Sequence, residues 1–203
     1  MSERTETPSD DGGEPGSSAP ADAEQPPGPP VRRADTSTAA QADAGVGVDL
    51  DPAVAASDLT RLIDRAWIAA RLAEAARSAA VAVDRVRVLI LDDAGMTELH
   101  RRHVGENAAT DVLTFPNSDA GDPIDADIAI GAEVAARQAS DRGHSISQEL
   151  LLYALHGVLH CAGRNDHDPD AYRAMHDEED RILRAIGVGA TFSSQPRSTG
   201  AAT

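Results

Sequence analysis

His156 and His160 stand four residues apart in the run His156-Gly157-Val158-Leu159-His160-Cys161-Ala162-Gly163-Arg164-Asn165-Asp166-His167. On a helix this spacing places two imidazoles one above the other on the same face, so both can point at one metal ion. Gly163 supplies a natural stop, because glycine readily takes the left-handed conformation that ends a helix, and the chain can then double back to bring His167 to the same ion. Three imidazoles and one open position describe a catalytic zinc site holding one Zn2+ per chain. A structural site would fill all four positions, usually with several thiolates, and Cys161 is the sole cysteine. The competing reading is an amphipathic core helix that carries histidines by chance. It requires the helical pair, the glycine stop and the third histidine all to coincide.

The elements that would position these side chains can be read from the apolar pattern. Residues 1–44 are rich in Pro, Gly, Ser, Asp and Glu, with Pro26-Pro27-Gly28-Pro29-Pro30 at their centre, and are expected to form a disordered tail. A single domain is expected over 45–187, followed by a flexible end over 188–203. Alternation in Val46-Gly47-Val48-Asp49-Leu50 predicts a first strand. One long helix, capped by Ser57 or Asp58, should then run through Leu62 and Trp67 to about Ala80. Val86-Arg87-Val88-Leu89-Ile90-Leu91 reads as an inner strand, since its last four residues are uniformly apolar. A helix through Met96 and His103 follows, then strands at Thr110–Pro116 and Asp127–Ile130, joined by a glycine-containing acidic loop that could turn the chain antiparallel. Another helix spans Gly131 to about Arg142. Ser145-Ile146-Ser147-Gln148 carries a capping-box pattern in front of the histidine helix, in which Leu151, Leu155 and Leu159 make one apolar row beside His156 and His160. Asp168-Pro169-Asp170 should start a last helix that reaches about Ile186.

Composition narrows the class. The chain has 203 residues, of which 41% are hydrophobic but only 2% aromatic, so the core must be built from Ala, Val, Leu and Ile. The net charge is −16, and the first 45 residues, with nine acids against three arginines, carry six of those charges. A domain this acidic can hold a polyanion only through a local arginine cluster. The polar N-terminus offers no secretory signal, no run of about 20 apolar residues could span a membrane, and one cysteine cannot close an internal disulfide. A cytoplasmic location is expected. Cys161 neighbours a presumed ligand but points about 100° away from it around the helix, which favours a buried, apolar-like role.

The histidine run resembles the signature H-G-x-L-H-x-x-G-x-D-H of the bacterial YbeY family, the metal-dependent endoribonucleases of ribosomal RNA maturation. One extra residue separates Gly163 from Asp166-His167 here, with Arg164-Asn165 where the family has a single residue, often tyrosine. Thr110-Asp111-Val112-Leu113-Thr114-Phe115-Pro116 resembles the family's T-D-V-L-S-F-P strand and Asp127-Ile128-Ala129-Ile130 its D-I strand. Gln138-Ala139 and Glu149 also fall where the family has Q-A and E, so the likeness runs from about Val86 to Leu183. It implies an α/β fold of α+β character: a small mixed sheet of about four strands with helices packed over it and a zincin-like metal helix. It further implies a single-strand-directed endoribonuclease that matures ribosomal RNA, including the 3' end of 16S rRNA, and serves small-subunit quality control. The implied partners are ribosomal RNA and the small ribosomal subunit, with no membrane and no DNA. The family also has an arginine before the glycine preceding this strand. Its position here is Val104, which leaves Arg101, Arg102 and Arg164 as candidates to contact RNA.

In this reading the nucleophile is water made acidic by the zinc, and no protein side chain is assigned as catalytic. A zinc peptidase is a second reading, through likeness to H-E-x-x-H, but the general-base position is Gly157 and Glu149 lies nearly two turns away. A third is a catalytically silent assembly factor of the small subunit that uses its metal to stiffen the fold. Asp166 suits a role in accepting a hydrogen bond from a ligand histidine, or a turn-capping role before Asp168-Pro169. His100, His103, His144 and His176 read as surface or packing residues.

Overall fold

A computed structural model describes residues 45–103, 105 and 110–191. The expectations for the 1–44 tail, for Val104, and for the chain from residue 192 lie outside these residues.

The elements run in the order β1 (Val46–Leu50), α1 (Pro52–Ala56), a 3-10 turn (Asp58–Leu62), α2 (Arg65–Ser78), β2 (Val83–Leu91), α3 (Asp93–His103), β3 (Val112–Pro116), β4 (Ile124–Gly131), α4 (Ala132–Arg142), α5 (Ile146–Cys161) and α6 (Pro169–Ala185). The sheet has the order β1-β2-β4-β3. β1 and β4 both run parallel to β2, whereas β3 returns antiparallel along β4, as the loop chemistry between them predicts. This is the expected mixed α/β architecture of four strands with helices over it.

Alternation along the strands builds two cores. Val86, Val88 and Ile90 of β2, with Ala126, Ile128 and Ile130 of β4, face the main core, where Leu151, Leu155 and Leu159 of α5 meet them. Leu91 and Ala129 point the other way and pack with Met96 of α3 in a smaller cluster. α5 contacts α2, α4, α6, β3 and β4, and every residue from Leu150 to Leu155 is buried. Each fully buried leucine there contributes about 2 kcal/mol of apolar transfer, which ties the histidine helix rigidly to the sheet.

The single long helix expected between Ser57 and Ala80 is broken. Asp51 caps the short α1, accepting from Ala53 N–H, and a second start follows at Asp64, whose carboxylate accepts from Trp67 N–H at 2.9 Å. The break is held from a distance: Ser147 Oγ donates to the Leu62 carbonyl and accepts from Asp64 N–H at 2.9 Å. At the other end the chain stays packed past Gly187. Val188 N–H donates to the Leu183 carbonyl, and the buried Thr191 donates its N–H to Asp180 at 3.0 Å. Among the described residues no helix is long and apolar enough to cross a membrane.

Candidate metal centre and its surroundings

The start and end of α5 are fixed by the local chemistry that the sequence announces. Ser145 and Gln148 form a complete capping box, each side chain answering the other residue's backbone N–H. Ser145→Ala is therefore expected to lower stability by about 1 kcal/mol, read as a shift of the thermal midpoint with no change in the folded-state spectrum. At the other end Gly163 has φ +82°. Its N–H donates to the His160 carbonyl at 2.9 Å, and Arg164 N–H donates to the Leu159 carbonyl at 3.0 Å, the paired bonds of a Schellman stop. The turn thereby presents the Arg164 carbonyl to His160 Nδ1, 3.1 Å away.

That contact sets the ring's hydrogen. A carbonyl only accepts, so Nδ1 of His160 carries the proton and Nε2 offers a lone pair. On His156 the same task falls to Glu179, whose Oε1 lies 2.7 Å from Nδ1. The two Nε2 atoms then face each other at 2.9 Å. Two lone pairs at that distance repel unless a cation or an added proton lies between them. Metal–nitrogen bonds of about 2.0–2.1 Å put neighbouring donors roughly 2.9–3.4 Å apart, so the pair fits a divalent ion. Asp166 completes the group, with Oδ2 3.6 Å from His156 Nε2 and Oδ1 3.7 Å from His160 Nε2. One donor atom from each of the three lies within 4.8 Å of the others.

The structure thus brings His156, His160 and Asp166 together. His167 is exposed and stands outside that group of donors. Asp168 is committed elsewhere, since its carboxylate accepts from both Asp170 and Ala171 N–H at 2.9 Å and caps α6. Arg101 and Arg102 both close onto Glu98, and Arg164 onto Glu178 at 3.2 Å.

Glu179 is a site residue that sequence reasoning did not single out. It is 0% exposed, with one oxygen on His156 and the other 2.6 Å from Nδ1 of His176. Burial pushes its pKa up, but the hydrogen bonds and charges of the two imidazoles outweigh this and hold it below the ordinary carboxylate value. His156 responds in the opposite sense. Burial opposes its charge, while the bond to Glu179 and the charges of Glu179, Asp166 and Asp111 prevail and raise its pKa. His160 is lowered by burial, by the neighbouring His156 and, to a smaller extent, by His167, which Asp166 and the bond to the Arg164 carbonyl only partly offset. His176, read from sequence as a surface or packing residue, is half-buried in this cluster and also meets Tyr172 edge-on at 4.3 Å. The signal that could have found it is its three-residue spacing from Glu179 on one helix face.

A cavity of about 220 Å³ opens beside the group and is lined by His156, Asp166, Asp111, Arg142, Tyr172 and other residues. Arg142 is largely buried and bonds Glu149 Oε1 at 2.8 Å, and His144 takes the other oxygen of Glu149 at 2.5 Å. Glu149 itself is 0% exposed. Cys161 is half-buried against the main core, and burial pushes its thiol up to about 11, which matches the apolar-like role expected for it.

The model of the family described as endoribonuclease YbeY matches residues 51–187. A Moorella thermoacetica protein named endoribonuclease YbeY is 36% identical over 160 residues, covering 73% of this chain and 94% of its own length. Proteins of the same name from Deinococcus radiodurans and Frankia casuarinae are 44% identical over 86 residues and 37% over 108. They cover 40% and 47% of this chain, which spans 55% and 54% of their lengths. A solution structure from Thermotoga maritima superposes with a TM-score of 0.47 at 19% identity, over 76% of this chain and 98% of that one. With two thirds of its length matched and the histidine helix inside the match, the chain belongs to the endoribonuclease YbeY family.

Proposed function

We propose that the protein is a metal-dependent, single-strand-directed endoribonuclease of ribosomal RNA maturation, acting in the cytoplasm on the 3' end of 16S rRNA and in small-subunit quality control. Membership of an endoribonuclease family gives the enzyme class, a nuclease acting on RNA. The observation that carries the chemistry is the pair of Nε2 lone pairs at 2.9 Å, each created by an acceptor on the opposite ring nitrogen. A zinc ion held by His156 and His160 would polarise a phosphoryl oxygen and lower the pKa of water from 15.7 to about 7. The chain's own residues do the rest. Glu179 and the Arg164 carbonyl keep both rings in the ligand tautomer, and Arg142 brings a guanidinium to the wall of the cavity where a phosphate would sit. Arg101, Arg102 and Arg164 are cations that can exchange a glutamate partner for flanking phosphates.

The peptidase reading fails on sterics as well as chemistry. A Cβ at Gly157 would stand 2.9 Å from Thr114 Oγ1 and 3.1 Å from two carbons of Ile128, so no glutamate base fits there. Glu149 is sealed by Arg142 and His144 and cannot take its place. The test is cleavage and binding of a structured ribosomal RNA precursor beside a peptide substrate, across a salt series. RNA cleavage is expected, with affinity falling steeply as salt rises. Arg101→Ala with Arg102→Ala should flatten the log-log slope by about 0.7 for each single-strand phosphate that the variant no longer neutralises. Salt-insensitive binding without cleavage would put forward instead an assembly factor whose main partner is a protein surface.

A further inference from the structure

We infer that the third ligand of the metal centre is the carboxylate of Asp166 and not the imidazole of His167, which makes this a two-histidine, one-carboxylate site. The inference deepens the proposed reading and rests on it, since it assumes that His156 and His160 bind a divalent ion. In the motif that the chain resembles, the third histidine follows the first by ten residues. Counted without a gap from His156, the tenth residue is Asp166, and His167 comes one later. Sequence alone allows two accounts of this offset: a bulged turn that restores His167 to the site, or an unbulged turn that substitutes Asp166.

The geometry decides for the second. The Schellman stop at Gly163 fixes the direction of Arg164, and the cap at Asp168 fixes the start of α6, so only three residues, Asn165 to His167, bridge two pinned points. Over that span the Asp166 carboxylate reaches both Nε2 atoms, at 3.6 and 3.7 Å, and His167 is left exposed. The two imidazoles are the only groups with which Asp166 forms an ion pair among the described residues. An oxygen donor carrying a full charge has a chemical consequence. Relative to three neutral imidazoles it lowers the net charge at a divalent centre from two to one and adds a hard ligand, which widens tolerance toward Mn2+ beside Zn2+.

The experiment measures Zn2+ affinity by chelator competition, and the visible spectrum of the Co2+-loaded protein, on the full chain and its variants. Asp166→Asn keeps the shape of the side chain and removes the charged donor. It is expected to weaken Zn2+ binding by roughly a thousandfold, beyond the 10- to 100-fold that loss of an outer hydrogen-bond partner brings. His167→Ala should bind within about twofold of the parent. Asp166→His should regain most of the affinity while shifting the Co2+ bands, a change that a purely structural role for Asp166 would not produce. Unchanged binding in Asp166→Asn, or loss of metal in His167→Ala, overturns the assignment. If His156→Ala also keeps its metal, the site itself is misread and the assignment falls with it. That result is distinguishable from an error in the third ligand alone. Far-ultraviolet spectra and thermal midpoints of each variant identify any loss that comes from unfolding, and Asp166→His settles the question if Asp166→Asn is unstable.

Discussion

Glu179→Ala is expected to weaken metal binding by about 10- to 100-fold and to destabilise the fold by about 3–5 kcal/mol. The first figure follows from its place behind His156. With Glu179 gone, nothing holds the proton on Nδ1, and the ring can turn or present the wrong tautomer. The second follows from burial. Glu179 is 0% exposed and both its oxygens are engaged, so its removal takes a charged hydrogen-bond acceptor from two largely buried imidazoles at once. Glu179→Gln separates the two effects, because the amide keeps the volume and loses the charge. Its pH dependence also has a definite sign. The folded-state pKa of Glu179 lies below the ordinary carboxylate value of 4.5, so its contribution is present above that pH and is lost as pH falls further through the folded value. Chemical denaturation of the parent should show this loss on the acid side, and Glu179→Gln should flatten it. Chelator competition and denaturation curves on the same preparations check both claims.

Gly157→Ala is expected to cost about 1–3 kcal/mol, and Gly157→Glu to prevent folding to the native state. Gly157 sits in mid-helix, where a glycine would ordinarily be replaced by alanine to advantage. Here α5 approaches β3 and β4 so closely that an added Cβ would meet Thr114 Oγ1 at 2.9 Å and Ile128 at 3.1 Å. Ile128 cannot yield freely, since it is 1% exposed in the main core. The helix must then lift off the sheet and carry His156 with it, so metal affinity should fall together with stability. A Gly157→Ala protein with a raised thermal midpoint would show that this close approach does not constrain the helix.

The parts of the fold that were legible in the sequence are those governed by short-range rules. The capping box at Ser145, the glycine stop at Gly163 and the Asp168-Pro169 start each depend on residues within four positions of one another, and each stands where the pattern put it. The strands were legible because alternation reports which face is buried, and the antiparallel return of β3 because its loop is rich in turn residues. The family resemblance and the family match agree on the region that holds the site.

What was not legible depends on partners far away in the chain. The break at Asp64 is held by Ser147, 83 residues on, and nothing near Asp64 predicts it. Glu179 sits in the acidic run Asp177-Glu178-Glu179-Asp180, which reads as a solvated face, yet the turn of α6 sends Glu179 inward to His156, 23 residues earlier. Arg142 was passed over for the same reason: its value comes from the cavity that α5 and α6 create together. The order of Asp166 and His167 is set by a turn pinned at both ends, and spacing alone could not rank them.

The central claim is that one divalent ion, held by His156 and His160, is required for RNA cleavage by this chain. The measurement that meets it most directly is elemental metal content and cleavage of an end-labelled single-stranded ribosomal RNA fragment, taken on the same preparations of parent, chelator-stripped, zinc-reloaded and His160→Ala protein. The account predicts about one ion per chain and cleavage in the parent, loss of both on stripping, recovery of both on reloading, and neither in His160→Ala. Cleavage at the parent rate by the stripped protein or by His160→Ala would contradict it.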